Sequence, residues 1–139
     1  MSLSIHEREV EGITILDLGG RLIAGETIAT LREHITNGLD LGKTKFVLNM
    51  AEIDYVDSSG LGMMVVCFTK LSKAGGMLKL LNLTSRNLEL LVLTKLTTIF
   101  EVYNDEQDAV NSFFPSRQSK RFDVLSFVEE MRDKEDRAD

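Results

Sequence analysis

Ile53-Asp54-Tyr55-Val56-Asp57-Ser58-Ser59-Gly60-Leu61-Gly62 joins two opposite sequence patterns. Upstream, Lys45 to Met50 holds Phe46, Val47 and Leu48 in succession, which predicts a strand covered on both faces. Downstream, residues 59–73 bring Leu61, Met64, Val65, Phe68 and Leu71 together at roughly 100° per residue, the core stripe of an amphipathic helix. Asp57 and Ser58 therefore stand at a strand-to-helix corner. A helix N-terminus favours anions through its free N–H groups and its dipole. A serine held there is chemically suited to carry a phosphoryl group.

Working outward, residues 3–10 and 12–18 read as two short strands turned by Glu11-Gly12. Residues 26–41 show helical spacing through Ile28, Leu31, Ile35 and Leu39 and stop at Gly42. Beyond the corner helix, Gly75-Gly76 breaks the pattern. A strand over 77–83, a helix over 85–95, a strand over 100–103 and a helix over 105–113 capped by Asp105 follow. Strands alternating with helices of this length predict an α/β sandwich. Its mixed sheet of about four to five strands, opened by the hairpin, is covered by about four helices.

Pro115-Ser116 marks a boundary between a domain at 1–114 and a charged extension at 115–139. In the extension Val124, Phe127, Val128 and Met131 share one face of a helix over about 122–133. Two readings stand side by side. The extension is a solvated tail with a transient helix, or its helix docks, on the domain or on a second copy in a homodimer.

Composition bounds the function. The chain has 139 residues, a net charge of −6 and an estimated pI of about 5.0, which argues against a nucleic-acid partner. No apolar run is long enough to span a bilayer and no signal peptide opens the sequence, so a cytoplasmic protein without a membrane segment is expected. A single cysteine, Cys67, excludes an internal disulfide and fits a reducing compartment. His6 and His34 lie far apart without ligand spacing, so no metal site is expected. The corner matches neither the G-x-S-x-G elbow nor the phosphate-binding loop, and no base stands beside the serine. No catalytic residue and no enzyme activity are expected.

At the corner, Asp57 is read as the N-cap, with orientation of the Ser58 hydroxyl as the alternative role. Ser59 falls inside the first helical turn. Gly60 and Gly62 cost roughly 1 kcal/mol each in a helix relative to Ala, and so serve close packing on the sheet or close approach of a partner. Asn49 is placed before the corner, where it could hydrogen-bond the loop carrying Ser58. On the helix face opposite the core stripe, Met63 and Val66 lie beside Lys70 and Lys73, a docking patch next to Ser58.

Residues 53–62 resemble the signature of the STAS domain, specifically the bacterial anti-sigma factor antagonists, and the order of elements from residue 3 to about 113 fits that family too. The resemblance implies a STAS-type sandwich and assigns the phosphorylated serine, the one directly after the aspartate, to Ser58. It implies a passive switch in transcription regulation. The unphosphorylated form sequesters an anti-sigma factor that is also a serine kinase, phosphorylation releases it, and a PP2C-type phosphatase resets the antagonist. ATP and Mg²⁺ then belong to the kinase, and this chain needs no cofactor. One departure stands out. The family often has an acid in a Gly-x-Leu-Asp context after the second strand, where Gly20-Arg21-Leu22-Ile23 places an isoleucine. The alternatives are a STAS scaffold that is never phosphorylated and a STAS subunit of a larger assembly, including a transport system.

Overall fold

The computed structural model describes residues 3–138. Five strands and five α-helices follow one another as β1 (Ser4–Val10), β2 (Ile13–Leu22), α1 (Glu26–Asp40), β3 (Lys45–Val56), α2 (Ser58–Lys73), β4 (Met77–Leu81), α3 (Ser85–Leu93), β5 (Val102–Tyr103), α4 (Glu106–Asn111) and α5 (Val124–Ala138). A short 3₁₀ turn, Leu96–Thr98, links α3 to β5. The strands lie in the sheet in their chain order, β1-β2-β3-β4-β5. The β1–β2 hairpin is antiparallel and the remaining pairs are parallel, which gives the predicted mixed sheet.

Period-2 alternation divides the strands between two cores. Phe46, Leu48 and Met50 of β3 and Leu78 and Leu80 of β4 face the larger one, where α1, α2 and α3 bring Leu31, Ile35, Met64, Leu71, Leu88 and Leu91. Ile13, Ile15, Val47 and Leu81 face the other side, which α4 covers through Ala109 and Val110. Lys79 enters this smaller core 4% exposed. Its ammonium is matched by Glu101 at 3.2 Å, the Ser112 hydroxyl at 2.9 Å and the Phe113 ring at 4.4 Å.

Two strands outrun their predicted ends. β2 continues through Leu22 and β3 through Val56, paired by two register shifts, between Asp17 and Gly19 and between Gly20 and Arg21. The continuous apolar signal stops at Met50 because this end of β3 is covered on one face only. Ile53 and Val56 are buried while Ala51, Glu52, Asp54 and Tyr55 are exposed.

The extension docks on the domain. The Phe122 N–H donates to the Val102 carbonyl at 2.9 Å. The carbonyls of Glu101 and Tyr103 accept from the N–H groups of Leu80 in β4 and Asn82 just after it, so the Val102 carbonyl points the other way, to the open side of β5. Phe122 and Phe127 pack edge-to-face with ring centroids 6.2 Å apart and press on the main core. Arg117 reaches Glu11 at 2.8 Å across the molecule. α5 begins at Val124, with Asp123 accepting from the Ser126 N–H, and runs beyond the predicted 133. Its charged half carries opposite charges four residues apart at Glu130/Lys134, Arg132/Asp136 and Asp133/Arg137, a spacing that supports an exposed helix.

Candidate functional site

Asp57 follows β3 in an extended conformation and caps α2, its Oδ1 accepting from the Gly60 N–H at 2.8 Å. Its second oxygen, Oδ2, accepts from the Ala24 N–H at 2.9 Å, and its own N–H donates to the Leu22 carbonyl at 3.0 Å. One residue thus ties the β3–α2 corner to the β2–α1 loop. The Gly60 and Ala24 N–H groups hold the Asp57 carboxyl below the usual carboxylate range, so it remains ionised. Both oxygens point at backbone donors rather than at the Ser58 hydroxyl, and the residue's role is capping.

Ser58 is the first residue of α2 and is exposed, as is Ser59 beside it. The two glycines divide the roles foreseen for them. A Cβ on Gly60 would lie 2.2 Å from the Leu22 carbonyl oxygen, so this glycine lets the helix start pass over the end of β2. A Cβ on Gly62 would meet nothing within 4 Å, which leaves that side of the first turn open to an approaching surface.

The expected docking patch is narrower than the helical projection suggests. Val66 is 43% exposed and Lys70 and Lys73 are exposed, but Met63 is half-buried against the main core.

Asn49 does not serve the Ser58 loop. The extension of β3 to Val56 puts it mid-strand on the opposite face. There its Nδ2 donates to Asp17 at 2.8 Å, and its Oδ1 accepts from Asn82 at 3.4 Å. Asp17 also receives two guanidinium N–H bonds from Arg8 at 2.7 and 3.1 Å, and Arg8 continues to Glu106. Arg8 first, then Asn49, hold the Asp17 carboxyl below its ordinary value of 3.8. A folded-state value below the unfolded one contributes stability above pH 3.8 that is lost as pH falls through the lowered value. Asp17→Asn is expected to lower the urea midpoint at neutral pH and to flatten its acid decline. Equal slopes for the variant and the parent chain between about pH 5 and pH 2 would contradict this.

Neither lone alternative builds a second site. Cys67 is buried among core residues, and desolvation pushes its thiol up to about 11, far from a reactive thiolate. His34 faces Glu7 at 2.9 Å, beside Lys43, as part of a surface ion cluster.

A groove beside Ser58 brings in residues of α3 that the sequence did not single out. Tyr55, Val56, Asp57, Ser58, Arg86 and Leu90 line a cleft of about 360 Å³ between the corner and α3, with Leu93, 68% exposed, at its rim. The signal was present in α3. Leu88 and Leu91 seat that helix on the core with Leu90 half-buried beside them, which leaves Leu93 without a core position.

Residues 4–109 match the family of the STAS domain. The chain is 30% identical over 110 residues to an anti-sigma-B factor antagonist of Listeria monocytogenes, covering 76% of this chain and 91% of that protein. Its fold is similar to that of a putative anti-sigma factor antagonist of Thermotoga maritima, with a TM-score of 0.73, 23% identity, and 78% and 92% of the two chains covered. The anti-sigma factor antagonist SpoIIAA, solved in unphosphorylated form and, from Bacillus, in phosphorylated form, shares the fold. Each comparison has a TM-score of 0.62 at 19% identity, covering 81% and 79% of this chain and 99% of each neighbour. Among the described residues no helix is long and apolar enough to cross a membrane.

Proposed function

This chain belongs to the STAS domain family, and from that premise we propose that it is an anti-sigma factor antagonist switched by phosphorylation of Ser58. The observation that carries the reading is the corner itself. An exposed serine hydroxyl opens α2, while the neighbouring acid is committed to the cap and to Ala24. In the unphosphorylated form a face of α2 running from Ser58 past the open flank at Gly62 and Val66 to Lys70 docks the anti-sigma factor, itself a serine kinase, in the cytoplasm. The chain acts as a binding module and supplies no chemistry.

In the transfer, the Ser58 Oγ–P bond forms as the bond from the γ-phosphorus to the bridging oxygen of ATP breaks. ADP leaves, and the hydroxyl proton passes to a base on the kinase. ATP and Mg²⁺ are held by the kinase, and hydrolysis by a PP2C-type phosphatase restores the hydroxyl. The phosphoserine adds about −1.5 to −2 charges. A partner surface fitted to a hydroxyl then meets a bulky anion next to ionised Asp57, and desolvation and repulsion weaken the complex.

Ile23 supports a second reading, a STAS scaffold that is not phosphorylated. It stands where the family often has an acid, half-buried, its N–H and carbonyl both bonded to the Thr27 hydroxyl. Peptide mass spectrometry of the protein from its own cells, with and without phosphatase, separates the two. One phosphoryl group on Ser58 is the expected result, and an unmodified Ser58 across growth and stress conditions favours the scaffold. Against the captured kinase, Ser58→Asp is expected to lose affinity at least about tenfold and Ser58→Ala to keep it. Equal affinities would overturn the switch.

A further inference from the structure

The cap leaves a charge problem at Ser58. Asp57 already takes the Gly60 N–H, and both its oxygens are engaged as an ionised carboxylate. Asp54 is exposed four residues before Ser58. A phosphoryl group on Ser58 would therefore join a helix terminus that already holds one anion. Beside that carboxylate, a cation in reach would favour the dianion.

Among the described residues, four cations are candidates. Lys70 and Lys73 stand three turns or more down α2, roughly 18 Å or beyond by helical rise. Arg21 is paired in register with Tyr55 across the β2–β3 ladder but does not line the cleft. Arg86 does line it, together with Ser58. It sits in the first turn of α3, exposed and without an ion-pair partner among the described residues. Its guanidinium rests over the Tyr55 ring, 4.8 Å from the centroid. A stacking contact of this kind at an exposed site is worth about 0.5–1 kcal/mol, less than a charge-assisted pair with phosphate oxygens. The planar fork also suits two oxygens of one phosphoryl group.

We propose that Arg86 is the internal counter-ion of phosphorylated Ser58, leaving the Tyr55 ring to pair with the phosphoryl oxygens and closing the cleft between the corner and α3. The inference rests on the phosphorylation reading above and names its regulation. In the hydroxyl form Arg86 stays on the ring and the cleft stays open between Tyr55, Leu90 and Leu93. In the phosphorylated form the arm crosses the cleft, so one modification changes both the charge and the shape of the docking face.

The test uses the full chain with phosphoserine genetically encoded at position 58 and follows its ³¹P resonance with pH. The parent chain is compared with Arg86→Gln, Arg86→Lys and Arg21→Gln. The second phosphate ionisation is expected about one pH unit lower, a tenfold shift in proton affinity, in the parent than in Arg86→Gln. Arg86→Lys should recover part of that shift, and Arg21→Gln should titrate like the parent. Coincident curves for the parent and Arg86→Gln, or a shift produced by Arg21→Gln alone, overturn the assignment. Because the phosphoserine is installed directly, this result is independent of the mass-spectrometric one. An unmodified Ser58 in cells would sink the switch and leave the ion pair standing, and coincident titrations would do the reverse.

Discussion

Gly60→Ala is expected to destabilise the fold by about 3 kcal/mol, while Gly62→Ala, two residues along the same helix, is expected to leave it unchanged or more stable by up to about 1 kcal/mol. Both substitutions add one methyl group to the first turns of α2, and intrinsic helix propensity favours both. The difference lies in what the methyl meets. At Gly60 it meets the Leu22 carbonyl oxygen at 2.2 Å, a backbone atom whose own position is fixed by the Asp57 N–H. No rotamer change relieves that overlap. Either α2 lifts from the sheet, opening the core around Leu61 and Met64, or β2 loses its last pairing with β3. Urea denaturation followed by circular dichroism reads the outcome. Two variants with equal midpoints would show that the helix start does not pass over β2 as described. Gly62→Ala then has a second use: a stable variant with weakened affinity for the proposed anti-sigma factor partner would place that partner on the open flank.

Deleting residues 116–139 is expected to cost about 2 kcal/mol and to lower Tm by about 8 °C. The loss comes from Phe122 and Phe127, half-buried against the main core, and from the edge hydrogen bond to Val102. The conformational entropy that the deleted segment no longer loses on folding offsets part of it. The deletion also uncovers the open side of β5, and concentration-dependent association should follow. Phe122→Ala should reproduce most of the thermal shift, and Leu125→Ala, at a side chain 69% exposed, should reproduce none of it. Identical melting of the truncated and full-length chains would mean that the extension contributes nothing to the domain.

Much of this architecture was readable residue by residue. Gly42, the Gly75-Gly76 pair and Asp105 punctuate the chain where elements end or begin, and the Leu61/Met64/Leu71 stripe faces the core as its spacing requires. The Asp57 cap followed from an acid directly before a helical pattern. What escaped the sequence is what depends on partners distant in the chain. β3 runs to Val56 because β2 is there to pair with it, and the polar residues Glu52 and Asp54 conceal a strand covered on one face. Asn49 answers to Asp17 on the sheet's other face, which a strand ending at Met50 could not show. Arg86 joins the site only through the placement of α3, because no sequence spacing links it to Ser58.

The strand order of the sheet bears on how the protein is made. Since β1 to β5 lie side by side in chain order, each strand leaving the ribosome finds its neighbour already in place, and no early edge has to be held open for a late arrival. Two clasps break this rule. Arg8 waits for Glu106, 98 residues later, and Glu11 waits for Arg117, 106 residues later. Until nearly the whole chain has been synthesised, β1 is therefore held by its pairing with β2 and by the contacts of Glu7 with His34 and Lys43. A nascent chain arrested before residue 106 should accordingly show a protected β2–β3–β4 centre and a β1 that proteases still reach.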